Sequence, residues 1–385
     1  MISLFKYLNP VKINKFKLTP AEKNKLLALD KVFWDITQMY HNDKPRYVTN
    51  IDEECEKFIS CYDNNIKYFP ELKFETPLKY DTDGVLDKID MLIYEFRNFD
   101  CFLSKYYIEV LLAYKQMIKG CINPKTNYPM FNAVRLQRPS LEMYELALKT
   151  IKEHPYQKID KSTRSLDAED AKKDIDDYLD ELGWDWDVQI KTNLQPRMAV
   201  GPEVMSINKD GSFSKIDLEG LKSHEIRGHV GRRYYALKTG LYLFVEGLLW
   251  RNTLDEGLAV WNSLNLVDEK KPNILFNIAL KTIIGFKLNE LDFYELFDFI
   301  HKLVPDVPKR IVFKNIIRFK REIQDCSLIG GNGDDMSYFV GYNIVKGMTD
   351  KQRNDILKYN IGPGQIKDLP DIKKFFRHNR FKSLI

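Results

Sequence analysis

Two imidazoles with an acid beside the first stand out in a chain of 385 residues that holds only 6 histidines: His224-Glu225-Ile226-Arg227-Gly228-His229. The pattern H-E-x-x-x-H supplies the residue types of a zinc hydrolase, in which three protein nitrogen and oxygen donors hold the ion and a fourth position is left for water. The commoner spacing places the second histidine four residues on, stacked over the first on one helical face. Here the spacing is five. In an ideal α-helix the second ring would be swung by about 140° and the two could not share an ion. A π-bulge absorbing one extra residue returns them to a common face, and such bulges concentrate at functional sites. Gly228, just before His229, is permissive for that distortion.

The third ligand should come from a later element. Glu256, in Asp255-Glu256-Gly257-Leu258-Ala259, opens another apolar-periodic segment and is the best candidate. Thr253-x-x-Glu256 also reads as a helix capping box, which would explain the glutamate without a metal. Beside His224 and His229 the ligand reading is preferred. Glu225 is then free to act as general base, and one Zn2+ with a carboxylate base is the arrangement of metal-assisted hydrolysis.

These residues resemble a known family. His224-Glu225-x-x-x-His229, a tyrosine-rich continuation through Tyr234 and Tyr235 to Gly240, and Leu254-Asp255-Glu256-Gly257-Leu258-Ala259 are similar to the microtubule-associated tyrosine carboxypeptidase family. The same holds for its bacterial relatives, the tyrosine/phenylalanine carboxypeptidase domain proteins. Trp184 to Asn208 resembles the segment before the zinc helix; Arg318-x-x-Arg321, Gly330-Gly331 and Asp335-x-x-Tyr338-x-x-Gly341 resemble the C-terminal signature. The resemblance runs from about residue 90 to the end. It implies His224, His229 and Glu256 as zinc ligands, Glu225 as base and a zincin-like (gluzincin) fold. Two sites depart from the pattern, Arg321-Glu322 for Arg-Gly and Asp334-Asp335 for Lys-Asp, and both bear on substrate preference. A narrower resemblance is to dipeptidyl peptidase III, whose His-Glu-Leu-Leu-Gly-His has the same spacing.

Apolar residues at 44% and charged residues at 30% allow a sizeable core and exclude global disorder. A net charge of +4 from 59 basic and 55 acidic side chains gives no reason to expect nucleic acid. The cysteines, Cys55, Cys61, Cys101, Cys121 and Cys326, are odd in number and scattered, which points to a reducing compartment. Residues 1–20 contain no apolar run of signal-peptide length, and no stretch approaches a membrane span. A monomeric cytoplasmic protein is expected, with an extension over 1–84 and a catalytic domain over 85–385.

The elements that must position the site follow from punctuation and period. Thr19-Pro20-Ala21-Glu22 opens a helix to about Tyr40. Residues 41–84 look irregular, with a short helix around Glu54 to Cys61. Asp81-x-Asp83-Gly84 superficially suggests a calcium loop but lacks the remaining ligands, so a turn is expected. Two helices occupy Val85 to Lys119, a loop follows over 121–138, and Pro139-Ser140 opens a helix to about Lys152. Asp167 to Leu182 reads as an acidic amphipathic helix with a solvated face. The period then changes to two: Trp184, Trp186, Val188 and Ile190 alternate with polar residues, and Met198 to Val200 and Val204 to Ile207 are further strands. A small antiparallel sheet just before the zinc helix is predicted, with an edge that could take a substrate backbone. The zinc helix should begin at the Ser214-x-x-Asp217 cap and end at Gly240, and the helix with Glu256 should reach about Leu264. Helices are expected at Ile274 to Ile284 and Phe293 to Leu303, a helix or strand ending near Arg321, a loop at Gly330 to Gly333, and a docked basic, aromatic helix over Asp371 to Lys382.

The whole reads as a mostly helical α+β metallopeptidase, a carboxypeptidase acting on the C-terminal tail of a peptide or protein. The oxyanion needs a donor besides the metal, for which Tyr338 is the choice. The terminal carboxylate needs a cation, preferably arginine, from among Arg197, Arg232, Arg233, Arg318 and Arg321; Arg197 and Arg321 are the better placed by segment. With 21 Tyr and 23 Phe, the sequence cannot choose an aromatic-lined pocket. The alternatives are a dipeptidyl-peptidase-III-like enzyme, a zinc-containing binding protein without turnover, and a metal-free helical binding module.

Overall fold

A computed structural model describes residues 15–43, 48–73, 82–122, 139–158, 164–192, 194, 196–201, 204–266, 272–320 and 325–385. Helix α1 (Pro20–Asp43) opens at Thr19, whose amide donates to Glu22 Oε2 at 2.8 Å while the Glu22 amide donates back to the Thr19 hydroxyl at 3.3 Å. Helix α2 (Ile51–Asp63) is longer than the predicted stretch at each end. Helices α3 (Thr82–Arg97) and α4 (Ser104–Ile122) bury Ile89, Leu92, Ile93 and Phe96 from one and Tyr107, Leu111, Tyr114 and Ile118 from the other. Asp83 and Gly84 lie in the first turn of α3 rather than in a separate turn. Asp81 and most of the 121–138 loop fall outside the described residues. Helix α5 (Leu141–Glu153) is capped by Ser140, and α6 (Ala168–Leu182) by Asp167, with Gly183 in the left-handed region closing it.

Strands β1 (Asp187–Lys191), β2 (Met198–Val200) and β3 (Val204–Asn208) form one sheet in the order β1-β3-β2. The sheet is mixed, not antiparallel as predicted: β2 and β3 are antiparallel, but β1 and β3 are parallel, with Val188 beside Met205. The chain reverses direction between β1 and β2 and again between β2 and β3. Because β3 folds back directly on β2, β1 is left to pair with the far edge of β3, and those two strands run the same way.

Helix α7 (Lys215–Leu221) begins at the Ser214–Asp217 capping box. It runs without a break into a π-helical segment, Lys222–Val230, and then into α8 (Gly231–Leu237), which closes before Gly240 at φ 76°. Helices α9 (Tyr242–Glu246), α10 (Arg251–Asn265), α11 (Ile274–Lys287), α12 (Phe293–Leu303) and α13 (Lys309–Lys320) follow. Thus the segment before Arg321 is helical. After the Gly330 to Gly333 loop come α14 (Ser337–Lys346), α15 (Asp350–Tyr359) and α16 (Leu369–His378). Helix α16 docks through Leu369, Ile372 and Phe375 and ends short of the predicted Lys382. Among the described residues no helix is long and apolar enough to cross a membrane.

Two hydrophobic cores result. One gathers α1, α3, α4, α6, the sheet, α8 and α16; the other gathers α2, α5, α11, α12 and α13. Helix α10 feeds both, Leu254 and Leu258 to the first and Val260 and Leu264 to the second, and α14 does the same with Val345 and Phe339. These two helices meet backbone to backbone. A Cβ on Gly257 would lie 2.2 Å from the Gly341 carbonyl carbon, and one on Gly341 would lie 1.7 Å from the Thr253 oxygen. Gly341→Ala should therefore force α10 and α14 apart, costing about 2–3 kcal/mol in denaturant unfolding. An unchanged unfolding midpoint would show that the crossing tolerates a methyl group.

Candidate metal centre

The π-helical segment decides the geometry. Its i→i+5 hydrogen-bonding step matches the spacing of His224 and His229, so the rings come to one face, their centroids 5.1 Å apart. Gly228 lies within the π segment, and a Cβ there would sit 2.8 Å from Ala259 Cβ. The absence of that atom lets the π segment lie directly on α10. Glu256 projects from α10 to meet the histidines, its Oε2 3.6 Å from His224 Nε2 and 3.5 Å from His229 Nε2. The alternative capping role is not seen. Thr253 lies inside α10, its hydroxyl without a partner, and the helix begins after Trp250 with no side-chain cap.

Both imidazoles are oriented from behind. His229 donates from Nδ1 to Asp255 Oδ1 at 2.7 Å. His224 Nδ1 faces Ser263 Oγ at 3.4 Å, and since that hydroxyl donates to Ala259 O at 3.0 Å, its oxygen is the acceptor. Each Nε2 is thereby the nitrogen turned toward Glu256, the outer-shell arrangement that orients metal-bound histidines. Asp255 also pairs with the buried Arg232. Burial disfavours charge on His229, but Asp255 and Glu256 outweigh it and hold its pKa well above the ordinary value.

The donor set fits a metal ion. Ligating atoms of His224, His229 and Glu256 all lie within 4.8 Å of one another. Two ligands of a tetrahedral zinc ion, each about 2.05 Å from it, stand about 3.3 Å apart, close to the separations seen here. Moreover Glu256 Oε2 is buried without a hydrogen-bond partner. Such an orphaned carboxylate oxygen is costly unless a cation meets it.

Glu225, half-buried, makes no ion pair or hydrogen bond among the described residues. Tyr338 lies nearly parallel to His224, ring centroids 6.4 Å apart, with Lys281 Nζ 4.5 Å over its ring. Burial and the nearby Glu256 and Asp335 push its phenol well above the ordinary pKa, so it stays a hydrogen-bond donor. Arg318 is paired with Asp335 through two nitrogens. Arg197 is engaged elsewhere: Nη2 donates to Asp217 at 2.9 Å and Nη1 to Ser212 O at 3.2 Å, which ties β2 to the start of α7. Arg321 lies outside the described residues.

A family model described as microtubule-associated tyrosine carboxypeptidase matches residues 131–379. The chain belongs to this family. The match covers well over half of its length and includes every member of the candidate metal centre. It begins at residue 131, later than the resemblance from about residue 90, so α1 to α4 lie outside it. No curated protein matches the chain. The family is one of carboxypeptidases, hence of hydrolases acting on peptides.

Sequence reasoning assigned no role to Asp255, Ser263 or the pairing of Arg232. The signals were spacing on helices already recognised: Ser263 follows Glu256 by two turns on α10, and Arg232 follows His229 by three residues. Asp255→Asn should weaken zinc binding about 10- to 100-fold in a chelator competition, because the imidazole loses its orienting carboxylate. Undiminished zinc affinity in a folded variant would remove Asp255 from the centre.

Proposed function

We propose that the chain is a zinc-dependent carboxypeptidase that releases one C-terminal aromatic residue, Tyr or Phe, from a peptide or protein tail. The observation that carries this reading is the buried, unpartnered Glu256 oxygen between two pre-oriented imidazoles, in a chain of a tyrosine carboxypeptidase family. His224, His229 and Glu256 would hold the ion. When bound, zinc supplies Lewis acidity that polarises the scissile carbonyl and acidifies the attacking water.

The protein's own groups do the rest. Glu225, without a competing partner, takes the proton from water and returns it to the leaving amine. Tyr338 donates to the oxyanion, a role supported by its place against His224 and by its retention of the phenolic proton. Strand β2, an edge of the sheet, packs against the π segment and offers backbone groups to an extended substrate.

Mass spectrometry of peptides ending in Tyr, Phe, Ala or Glu tests this reading. The zinc-loaded protein should remove a single Tyr or Phe, and Glu225→Gln should slow that step by about 100-fold or more while retaining its zinc. Release of an N-terminal dipeptide would favour the dipeptidyl-peptidase reading. Full zinc occupancy without cleavage of any peptide would favour a binding protein.

A further inference from the structure

An enzyme that removes one residue must recognise a carboxylate a single residue beyond the scissile bond, and successive Cα atoms are only about 3.8 Å apart. The recognising cation must therefore stand beside the metal centre. Among the described residues, Arg232, Arg233, Arg251 and Arg318 lie around it, and Lys281, over the Tyr338 ring, is paired with Asp335 at 3.6 Å. Arg232 is paired with Asp255, Arg251 with Glu246 at 3.1 Å, and Arg318 with Asp335. Arg233 has neither ion pair nor hydrogen bond among the described residues, and its Nη1 is buried without a partner.

Charge makes the same point. Of the carboxylates around Arg233, Asp255 is engaged by Arg232 and Glu246 by Arg251, which leaves Arg233 itself without a contact ion pair, and a buried unpaired charge is costly. Burial and then the proximity of Arg251 lower the pKa of Arg233 to about 10, which leaves it charged at neutral pH. Glu225 also faces it, without a hydrogen bond. Arg233 follows His229 by four residues on the continuing helix, toward the candidate base, and it keeps partial exposure. Arg232 also carries unpartnered nitrogens, but it is only 2% exposed and its charge is met by Asp255.

We infer that Arg233 receives the free carboxylate of the substrate's last residue. This assignment rests on the carboxypeptidase reading above. It replaces Arg197, whose donors are engaged by Asp217 and Ser212. The planar guanidinium can take a carboxylate in two parallel hydrogen bonds, which an amide-capped terminus cannot reproduce.

The test compares peptides ending in tyrosine and in tyrosinamide, bound by calorimetry to the zinc-loaded full chain carrying Glu225→Gln, with and without Arg233→Gln. The free acid should bind about 30-fold more tightly than the amide. Arg233→Gln should bring the ratio near one while leaving amide affinity unchanged, and Arg233→Lys should retain part of the preference. Because Arg233 has no protein partner, Arg233→Gln should keep the parent's thermal midpoint; if it fails to fold, the reduced ratio expected of Arg233→Lys carries the test. A ratio that survives substitution, or no acid preference in the parent, overturns the assignment. If the wild type still releases tyrosine in that event, only the role of Arg233 falls. If it neither cleaves nor binds either peptide, the carboxypeptidase reading falls with it.

Discussion

Two adjacent carboxylates, Asp255 and Glu256, sit mostly buried on the helix between the two hydrophobic cores, and much of the surrounding structure is what keeps them charged. Burial alone would raise both pKa values. Instead Arg232 and His229 pull Asp255 down, and the two imidazoles pull Glu256 down. Asp255 has its charge met by hydrogen bonds and a close ion pair, whereas Glu256 Oε2 has only the two imidazole nitrogens at 3.5 and 3.6 Å and no hydrogen bond. A buried anion with an open lone pair between two imidazole nitrogens calls for a cation. The protonated His229 and a bound metal ion are alternative answers to that demand, and only the metal gives the site an electrophile.

Two backbone departures lie beside these two acids, the π segment and the left-handed Trp250. The π segment brings His229 round to face Glu256, and Gly228 lets it approach Ala259, three residues further along α10. Trp250, in the left-handed region at φ 63°, turns the chain sharply into α10. That turn is braced from behind: the Leu248 amide donates to Asn360 O at 2.9 Å, and a Cβ on Gly362 would lie 2.1 Å from Leu249 O. Gly257, next to Glu256, meets Gly341 of α14. An unfavourable conformation persists where packing over-determines it, and here the packing is that of both cores.

The sequence was most informative where chemistry constrains spacing. A histidine pair five residues apart comes to one face on a π turn, so the distortion was the expectation if the two rings were to share an ion. Caps were readable for the same local reason, at Thr19, Ser140 and Ser214. What escaped depends on contacts between distant segments. Strand alternation reports which face is buried but not which neighbour a strand takes, so the parallel β1–β3 pair was missed. Thr253 and Glu256 have the spacing of a capping box, but the helix starts earlier, at a left-handed tryptophan that no propensity favours. Arg197 is sequestered by Asp217, a residue twenty positions away that also caps α7.

The helices outside the family match are bound into the same arrangement. Asp30 of α1 is buried, accepting hydrogen bonds from the Tyr107 hydroxyl at 2.6 Å and from the amides of Tyr242 and Leu243 at 2.7 and 3.0 Å. Leu241, at the start of α9, offers no side-chain cap, and Asp30 supplies one from another helix. Burial pushes its carboxyl up to about 6 against those hydrogen bonds. At the far end of α9, Tyr114 of α4 donates to Glu246 at 2.5 Å, and the same oxygen accepts from Arg251 at 3.1 Å. Arg251 is the first residue of α10 and a near neighbour of Arg233. The two ends of α9 are thus fixed by helices that the family model does not include, and from its C-terminal end the linkage runs to the helix that presents Glu256. Helices α1 and α4 are in this sense part of the scaffold of the candidate metal centre, joined to it by a short chain of buried, charge-assisted hydrogen bonds.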